Sequence, residues 1–344
     1  FRQNETGKSS SYRYIKRNTK QKTFGVNVKK DFSVNGFDLE LISGYEKTNY
    51  NIPEFNAESS FSKFDVSGVV TKIIGNVFKQ SAMIKYLSFN NQSNLSYGFI
   101  TDIQLSKKFR INGNISIASK PLSIYNSYYL PEDNLQRKNL ELGLIYSQGK
   151  TFSLLKVFTS QSGDEVWYVR GSNNSFKNDY VNLAFQGTKK TNGISFLLNT
   201  EWNHIKIETN SSYYIEKNEQ DVLTVPEWTF TGGVYYVDTL FNRNLKMKGG
   251  VNFYAQGKQS YRIYDFEKML TAYFYLDDAG RIQKFEQMTD PSYQIDLFFA
   301  GKIRDRATVY LVLENVTDNK YFVVPYYPRK GITFRFGFAW ELIN

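Results

Sequence analysis

The chain of 344 residues contains no cysteine and only one histidine, His204. A disulfide framework is therefore impossible, and cysteine- or histidine-based metal sites and nucleophiles have almost no groups to work with. No window approaches the roughly 20 consecutive apolar residues of a transmembrane helix. These absences argue against most familiar enzyme chemistry, so we expect a protein that is not an enzyme.

Aromatic residues are abundant instead. The chain has 28 Phe and 26 Tyr against 7 Pro and 4 Met, and 41% of its residues are hydrophobic. Aromatic side chains suit a pleated sheet, and that much apolar material is too much for a disordered segment. The composition therefore predicts an all-β protein.

Apolar and polar side chains alternate with period two along nearly the whole chain. In the last segment the apolar set is Ile332, Phe334, Phe336, Phe338 and Trp340. Similar alternation occurs near residues 37–41, 97–105, 111–117, 140–144, 194–202, 228–236, 245–253 and 293–299. This pattern predicts strands that each have one apolar face.

Short and long connections between strands alternate strictly along the sequence. The tight turns are predicted near 34–36, 74–76, 107–108, 147–150, 189–192, 242–244 and 304–306, and the longer polar segments near 49–59, 89–95, 119–137, 159–176, 205–221, 257–290 and 317–330. Short periplasmic turns and long external loops are typical of an outer-membrane barrel. The mean hydropathy of such a barrel is also polar, because lipid-facing and interior side chains alternate. With one further strand at Phe24–Val28, fifteen strands are expected.

The C-terminal residues carry a family resemblance. The residues that match are Asn315, Asp318, Tyr321, Pro328, Gly331 and Phe334. In this register the segment resembles the end of the TonB-dependent outer-membrane receptors. The resemblance implies an antiparallel transmembrane β-barrel of about 22 strands with an internal plug. Residues 1–344 would then form the C-terminal portion of the barrel domain, with the plug and the TonB box absent from this chain.

The motif residues also have a local physical role. Asn315 and Asp318 can cap the turn that leaves a strand through hydrogen bonds from side chain to backbone. Gly331 lets the chain re-enter the sheet without a clash from a Cβ atom.

Aromatic residues in the predicted loops are the candidate ligand contacts. The chief candidates are Tyr128, Tyr129, Trp167, Tyr168, Tyr261 and Tyr264, with further aromatics at Tyr213, Tyr273 and Tyr275. Such rings can stack on a siderophore catechol, a sugar ring or a corrin. Tyr and Trp near strand ends also form the interfacial girdles of any membrane barrel, and this interpretation carries more weight.

The charges suggest no nucleic-acid partner. The formal net charge is +10, but the basic residues are spread over separate turns without a recognition helix or stacked aromatics. Charges with interior parity, namely Lys246, Lys248, Glu314, Arg335 and Glu341, are expected to pair with a plug or steer an anionic cargo. The Asp277-Asp278-Ala279-Gly280 stretch fits an ordinary turn better than a calcium loop, so no metal and no cofactor is predicted.

Three functions remain open. The leading one is a TonB-dependent receptor of the bacterial outer membrane, which takes up a siderophore, cobalamin or an oligosaccharide. Its partners would be outer-membrane lipids, the cargo, a surface lipoprotein and the TonB complex, which would bind through the plug. The second is a passive porin-like channel of about 14 to 16 strands. The third is a surface barrel that binds a protein partner.

Overall fold

The structure, a computed structural model, consists of β-strands joined by turns and loops. It describes residues 20–52, 57–75, 77–89, 92–121, 134–170, 183–265, 270–277, 279–304, 306–320, 322–324, 327–328 and 330–340. No helix that could span a membrane occurs in this part of the chain. Fifteen long strands and seven strands of seven residues or fewer are found there.

The long strands are those expected to cross a membrane. Their bounds are β1 Lys20–Val34, β2 Phe37–Ile52, β3 Ala57–Ile74, β4 Phe78–Phe89, β5 Gln92–Gln104, β6 Phe109–Pro121, β7 Asn134–Gln148, β8 Thr151–Arg170, β9 Leu183–Trp202, β10 Ile205–Asn218, β11 Trp228–Leu240, β12 Leu245–Gln256, β18 Ser292–Ile303, β19 Ala307–Glu314 and β22 Thr333–Trp340. The count of fifteen long strands in the described residues matches the expected number. The short strands between β12 and β18 are β13 Gln259–Ser260, β14 Ile263–Asp265, β15 Leu270–Leu276, β16 Ile282–Lys284 and β17 Met288–Thr289, and those between β19 and β22 are β20 Phe322–Val324 and β21 Tyr327–Pro328.

The chain divides into two compact units. The first comprises Phe1–Val70 and Met83–Leu95. Within it, β1 and β2 form a long antiparallel hairpin, paired from Lys20↔Asn51 to Val34↔Phe37. The hairpin turns at Asn35 and Gly36, which both have positive φ, as a tight two-residue turn between strands requires.

The second unit comprises Thr71–Ala82 and Ser96–Asn344. From β5 to β12, each strand pairs antiparallel with the next one along the chain. The order then continues from β12 to β18, β19 and β22. This arrangement of sequential antiparallel neighbours is the up-and-down order of a barrel wall.

One predicted turn is wrong. Lys189 to Asn192 lies inside β9, and the chain reverses at Asn203 and His204 instead. Asn203 adopts φ 54°, which asparagine tolerates better than most residues. Residues 205–218, expected in a long loop, therefore form strand β10.

The two faces of each strand in the second unit differ in chemistry. On β22 the alternate side chains Phe334, Phe336, Phe338 and Trp340 are 54–65% exposed. The register places Phe334 opposite Leu313, and Leu313 opposite Leu297, so the exposed apolar side chains continue from strand to strand. We call this side the apolar face. A broad exposed apolar face of this kind is what a barrel presents to lipid.

The opposite side, the polar face, carries charges that neutralise one another. Glu208 accepts a hydrogen bond from Lys248 at 3.2 Å and also pairs with Lys206. Arg335 lies 3.0 Å from Glu314. Further pairs in this unit are Lys156–Glu141 at 3.4 Å and Arg110–Asp102 at 3.9 Å. The interior-parity charges on Lys248, Glu314 and Arg335 thus find partners within the sheet.

Candidate functional site

Strand β8 continues beyond the strand that precedes it. Its pairing with β7 extends to Ser162, where a bulge interrupts the register with β9. Beyond the bulge β8 stays paired with β9 as far as Val169. On its other edge, where β7 has ended, Tyr168 and the two residues after it pair with β15, Leu270–Leu276, which lies in the longest loop. This pairing is parallel, whereas the pairings of the long strands are antiparallel. The longest loop is therefore fixed to the loop end of β8 by backbone hydrogen bonds.

Buried apolar side chains fill the junction. This loop cluster consists of Trp167, Val169, Val222, Tyr273 and Phe274, with Leu276 packed against it. The indole of Trp167 makes edge contacts with the rings of Tyr273 and Phe274, at centroid distances of 5.8 and 6.0 Å. Trp167 is only 2% exposed. The cluster is the principal buried apolar core among the described residues, and it holds two loops against one strand.

The cluster lies on the same side of the sheet as the paired charges. Gly187 and Glu201 of β9 have the same strand parity, and Glu201 points to the polar face. The register places Gly187 opposite Glu165 of β8, so position 165 lies on the polar face as well. Trp167 and Val169 share the parity of residue 165, since side chains two apart on a strand point the same way. The cluster therefore extends the polar face at its long-loop end with a dense aromatic patch.

Two polar side chains at the end of β10 hold the loop between β10 and β11 in place by hydrogen bonds. Asn218 donates to the carbonyl of Val222 at 2.6 Å and accepts from its N–H at 3.0 Å. Glu216 accepts from the N–H groups of Thr224 and Val225 at 2.9 and 3.3 Å. These bonds present Val222 to the loop cluster.

The same loop is tied to the longest loop. Leu223 and Ser260 exchange hydrogen bonds: the Leu223 N–H donates to the hydroxyl oxygen of Ser260, and the Ser260 N–H donates to the carbonyl of Leu223. Lys284 reaches Asp221, donating to its backbone carbonyl at 3.0 Å and to its carboxylate at 3.2 Å. These bonds hold the two loops together, and the loop cluster packs both of them against β8.

Three half-buried rings of the longest loop stack on one another. Phe285 lies between Tyr275, at a centroid distance of 5.1 Å and a small interplanar angle, and Tyr261, at 5.6 Å edge-on. The Phe285 N–H donates to the carbonyl of Tyr273, which anchors this ring stack to the loop cluster. Partly exposed rings of this kind can contact a planar or sugar-like ligand.

A tight turn at Asp277 closes the tip of the longest loop. Its carboxylate accepts from the Arg281 N–H at 2.8 Å, from the Arg281 side chain at 2.9 Å and from Gln283 at 3.2 Å. The hydrogen bond from the Arg281 backbone, aided by the Arg281 and Gln283 side chains, lowers the pKa of Asp277 below its ordinary value. These bonds support the interpretation of this stretch as an ordinary turn, and Asp278 lies outside the described residues.

The predicted ligand contacts fall in different surroundings. Trp167 and Tyr168 were expected in a loop, but both lie in β8 and are buried, because β15 covers that part of the strand. Tyr261 belongs to the ring stack. Tyr264 lies in the short strand β14, Ile263–Asp265, paired with β15, while Tyr128 and Tyr129 lie outside the described residues. Of the six candidates, Trp167 and Tyr261 are thus found in the two aromatic groups of one loop region.

The C-terminal motif is a structural junction. Asn315 is 1% exposed and has φ 53°. Its amide group donates to the carbonyls of Asn319 and Lys330, both at 3.1 Å, and accepts from the Asn319 N–H at 3.0 Å. Its own N–H donates to Asp296 of β18 at 2.8 Å. Asn315 thus caps the turn that follows β19, as its sequence position suggested, and it also links this turn to β18 and to the segment that leads into β22.

The other motif residues have simpler roles. An ideal Cβ on Gly331 would lie 2.6 Å from the carboxylate of Asp318, so any other residue here would force that carboxylate to shift. Asp318 has φ 48°, and its N–H donates to the Asn315 carbonyl. Phe334 is on the apolar face and 65% exposed. Tyr321 lies outside the described residues, and of Pro328 only the backbone is described, in the short strand β21.

Sequence reasoning missed several members of the loop cluster. Val222 and Phe274 were not singled out, because a lone valine in a polar loop has no periodic pattern around it. The run Leu270–Leu276 is apolar enough to have signalled a strand inside the longest loop. The arrangement contains aromatic, hydroxyl and cationic groups suited to binding, and no set of three metal-ligating side chains among the described residues.

Solved structures with a similar fold are outer-membrane barrels. The FrpB iron transporter from Neisseria meningitidis (F3-3 variant) is 15% identical with a TM-score of 0.71, and the match covers 94% of this chain and 55% of that one. The copper transporter OprC is 10% identical with a TM-score of 0.72, covering 94% and 57%. The siderophore receptor PirA from Acinetobacter baumannii is 12% identical with a TM-score of 0.69, covering 98% and 57%.

These likenesses establish the fold. The chain has the all-β, antiparallel transmembrane barrel fold, and it spans little more than half the length of these solved structures. Two of the three are named as transporters and the third as a siderophore receptor, which agrees at a coarse level with the expectation of a protein that is not an enzyme. No curated protein matches the chain.

The family comparison covers almost the entire sequence. A family model with the description "Putative porin" matches residues 2–344. Together with the barrel fold, this match places the protein in the bacterial outer membrane. The chain belongs to this porin family.

Proposed function

We propose that the protein forms the wall of a diffusion channel that admits small hydrophilic solutes through the outer membrane. The observation that supports this most is the polar face, on which the charges of the second unit are paired with one another. Membership of the porin family agrees with it.

The pairing of charges on the polar face affects which solutes can pass through the proposed channel. Glu208 is shared between Lys206 and Lys248, and the Lys248 ammonium also lies 3.7 Å from the ring centre of Tyr235. A wall whose cations and anions lie side by side exerts a weaker long-range field than one with charges of a single sign. Such a wall hydrates readily and discriminates weakly among small polar solutes.

The loop cluster supplies the narrow part of the proposed pathway. It extends the polar face at the long-loop end, and the hydrogen bonds between β15 and β8 hold it there. A loop fixed to the wall narrows the mouth without closing it. The ring stack around Phe285 would then be the first surface that an entering solute meets.

Planar bilayer recording on the full-length protein, expressed from its own gene, tests this proposal. Steady conductance steps are expected, with little preference between potassium and chloride. Breaking the loop cluster with Trp167→Ala should raise the conductance or make it noisier, whereas Trp202→Ala should leave it unchanged. Complete absence of steps, with correctly folded protein in the bilayer, would refute the channel.

A TonB-dependent receptor is the second candidate. The C-terminal motif around Asn315 and the likeness to FrpB, OprC and PirA favour it. In this version residues 1–344 form the C-terminal portion of the barrel, a plug contacts the polar face, and the cargo is a siderophore, cobalamin or oligosaccharide.

Energy dependence separates the two candidates. Uptake through a channel continues when the TonB system is deleted or the inner-membrane potential is collapsed, whereas receptor-mediated uptake stops. The third candidate, a surface barrel that grips a protein partner, predicts a stoichiometric partner on purification in mild detergent and neither conductance nor uptake.

A further inference from the structure

A row of basic side chains crosses the apolar face near the long-loop end. Cross-strand pairing joins Lys138 of β7 to Gln161 of β8, Gln161 to Lys190 of β9, and Lys190 to Lys217 of β10. We call these four residues the lysine row. Lys138 has the same strand parity as Leu140 and Leu142, so the row points outward with the apolar face and away from the paired charges.

The lysines of this row differ from those of the polar face. Among the described residues, no carboxylate lies within ion-pairing distance of Lys138, Lys190 or Lys217. On the polar face, by contrast, Lys156 pairs with Glu141. All three lysines of the row are exposed. Neighbouring cations without counter-charges repel each other, and an anion between them relieves that repulsion.

A groove lies below the row on strands β8 to β12, of which β8, β9 and β10 also carry the row. Its volume is about 500 Å³, and it is lined by Leu155, Ile194, Phe196, Ser211, Ser212, Tyr213, Trp228, Thr229, Phe230 and Ala255. The depression exists because Ser211 and Ala255, opposite Phe230, are much smaller than their neighbours. The lining is almost entirely apolar, as the binding of a hydrocarbon chain requires.

The spacing of the two features suits one amphipathic molecule. Residues 190 and 194 of β9 are four apart on one face, which corresponds to about 13 Å along the strand. Lys138 and Lys217 are three strands apart, or roughly 14 Å across the sheet. A headgroup of that width with chains descending from it spans both the row and the groove.

We propose that an outer-leaflet lipid with a phosphorylated headgroup binds at this place, with phosphate on the lysine row and an acyl chain in the groove. The long-loop end of an outer-membrane barrel faces the outer leaflet, so headgroups lie at the level of the row. Tyr213 and Trp228, paired across β10 and β11 at the upper edge of the groove, lie at the boundary where amphipathic rings are favoured.

Lipid titration of the delipidated full-length protein in detergent, followed by native mass spectrometry, tests the proposal. The probe is diphosphoryl lipid A. The wild-type protein should retain it, and replacing Lys138, Lys190 and Lys217 together by serine should weaken binding by about 150-fold, at roughly fivefold per lysine near an anionic surface. A matched triple replacement of Lys107, Lys108 and Arg243, which lie in the tight turns at the opposite end, should leave binding unchanged.

Two further variants separate the headgroup from the chain. Lys190→Arg keeps the charge and should keep binding, whereas Ser211→Phe fills the groove and should weaken binding although the lysine row is intact. Heat-dependent mobility on gels verifies that each variant is folded, and a variant that is unfolded is replaced by the single change Lys190→Glu, for which weaker binding is expected.

Competitors identify the source of the phosphate. Dephosphorylated lipid A and inorganic phosphate should fail to displace the probe at equal concentration. Displacement by inorganic phosphate would overturn the proposal in favour of a simple anion site, and displacement by the dephosphorylated lipid would remove the role of the lysines. Equal binding by wild type and the lysine-row triple variant would also overturn it.

Discussion

Replacing Trp167 with alanine removes the largest fully buried side chain of the loop cluster. The indole contacts Tyr273 and Phe274, and alanine would leave a cavity between the two loops and β8. Truncations of buried Trp or Phe to alanine cost about 3–5 kcal/mol. The Nε1–H of Trp167 has no hydrogen-bond partner among the described residues, and removing an unsatisfied donor returns about 1–2 kcal/mol of this cost. A net loss of about 2–3 kcal/mol is therefore expected.

The loss should appear as local opening and not as global unfolding. The longest loop is held by a few hydrogen bonds and this cluster, whereas the wall is held by continuous pairing over the long strands. A loss of about 2–3 kcal/mol corresponds to a roughly 30- to 150-fold increase in the open population.

Hydrogen exchange followed by mass spectrometry measures this opening in lipid nanodiscs. Amides of Leu270–Leu276 should exchange faster by that factor in Trp167→Ala, while those of Leu245–Gln256 should be unchanged. Trp202→Ala is the matched control, since Trp202 is 80% exposed and outside the loop cluster. Unchanged exchange at Leu270–Leu276 would refute the assignment of this cluster as the anchor of the loop.

Three other predictions follow from single residues. Asn315→Ala should destabilise the barrel by about 2–4 kcal/mol in urea or thermal unfolding, because three hydrogen bonds of its buried amide are lost. Asn242→Ala is the control, since Asn242 also has a positive φ but lies in an exposed turn, and it should cost about 1 kcal/mol. Equal losses of stability in the two variants would contradict the account. Glu208→Gln leaves two lysines without their shared counter-charge, so the reversal potential under a salt gradient should shift toward anion selectivity, and an unchanged potential would argue that this face does not line the pathway. Asp277 has a lowered pKa, so its contribution to the stability of the turn is complete above the ordinary pKa of aspartate and is lost as the pH falls through the lower folded-state value. Local opening measured by amide hydrogen exchange at residues 279–284 should therefore increase only in strong acid. An increase already near pH 5 would contradict this prediction.

The wall of the fold was largely predictable from the sequence. Alternation along segments such as 332–340 assigns both the strand and the face that each side chain occupies, because a strand has an exact period of two. The turn at Asn203 and His204 was missed because Lys189 to Asn192 has the polar composition of a turn while remaining inside β9. Polar side chains are tolerated there at the long-loop end of the strand, above the apolar belt.

The candidate site was predictable only in part. Aromatic residues in the longest loop could be named, but whether each ring is exposed or buried depends on the pairing of β15 with β8. That pairing joins residues about a hundred positions apart and leaves no local periodic signal. The lysine row is likewise invisible in the sequence, since its members become neighbours only through the register of four strands.

The most direct test of the account asks which face meets lipid. The chain has no cysteine, so single cysteines can be introduced one at a time along β22 of the full-length protein and spin-labelled without background. Labels at Phe336 and Phe338 should be accessible to oxygen dissolved in the bilayer, and labels at Arg335 and Ala339 to a water-soluble nickel reagent. Accessibility that does not alternate, or that alternates in the opposite phase, would contradict the assignment of the two faces.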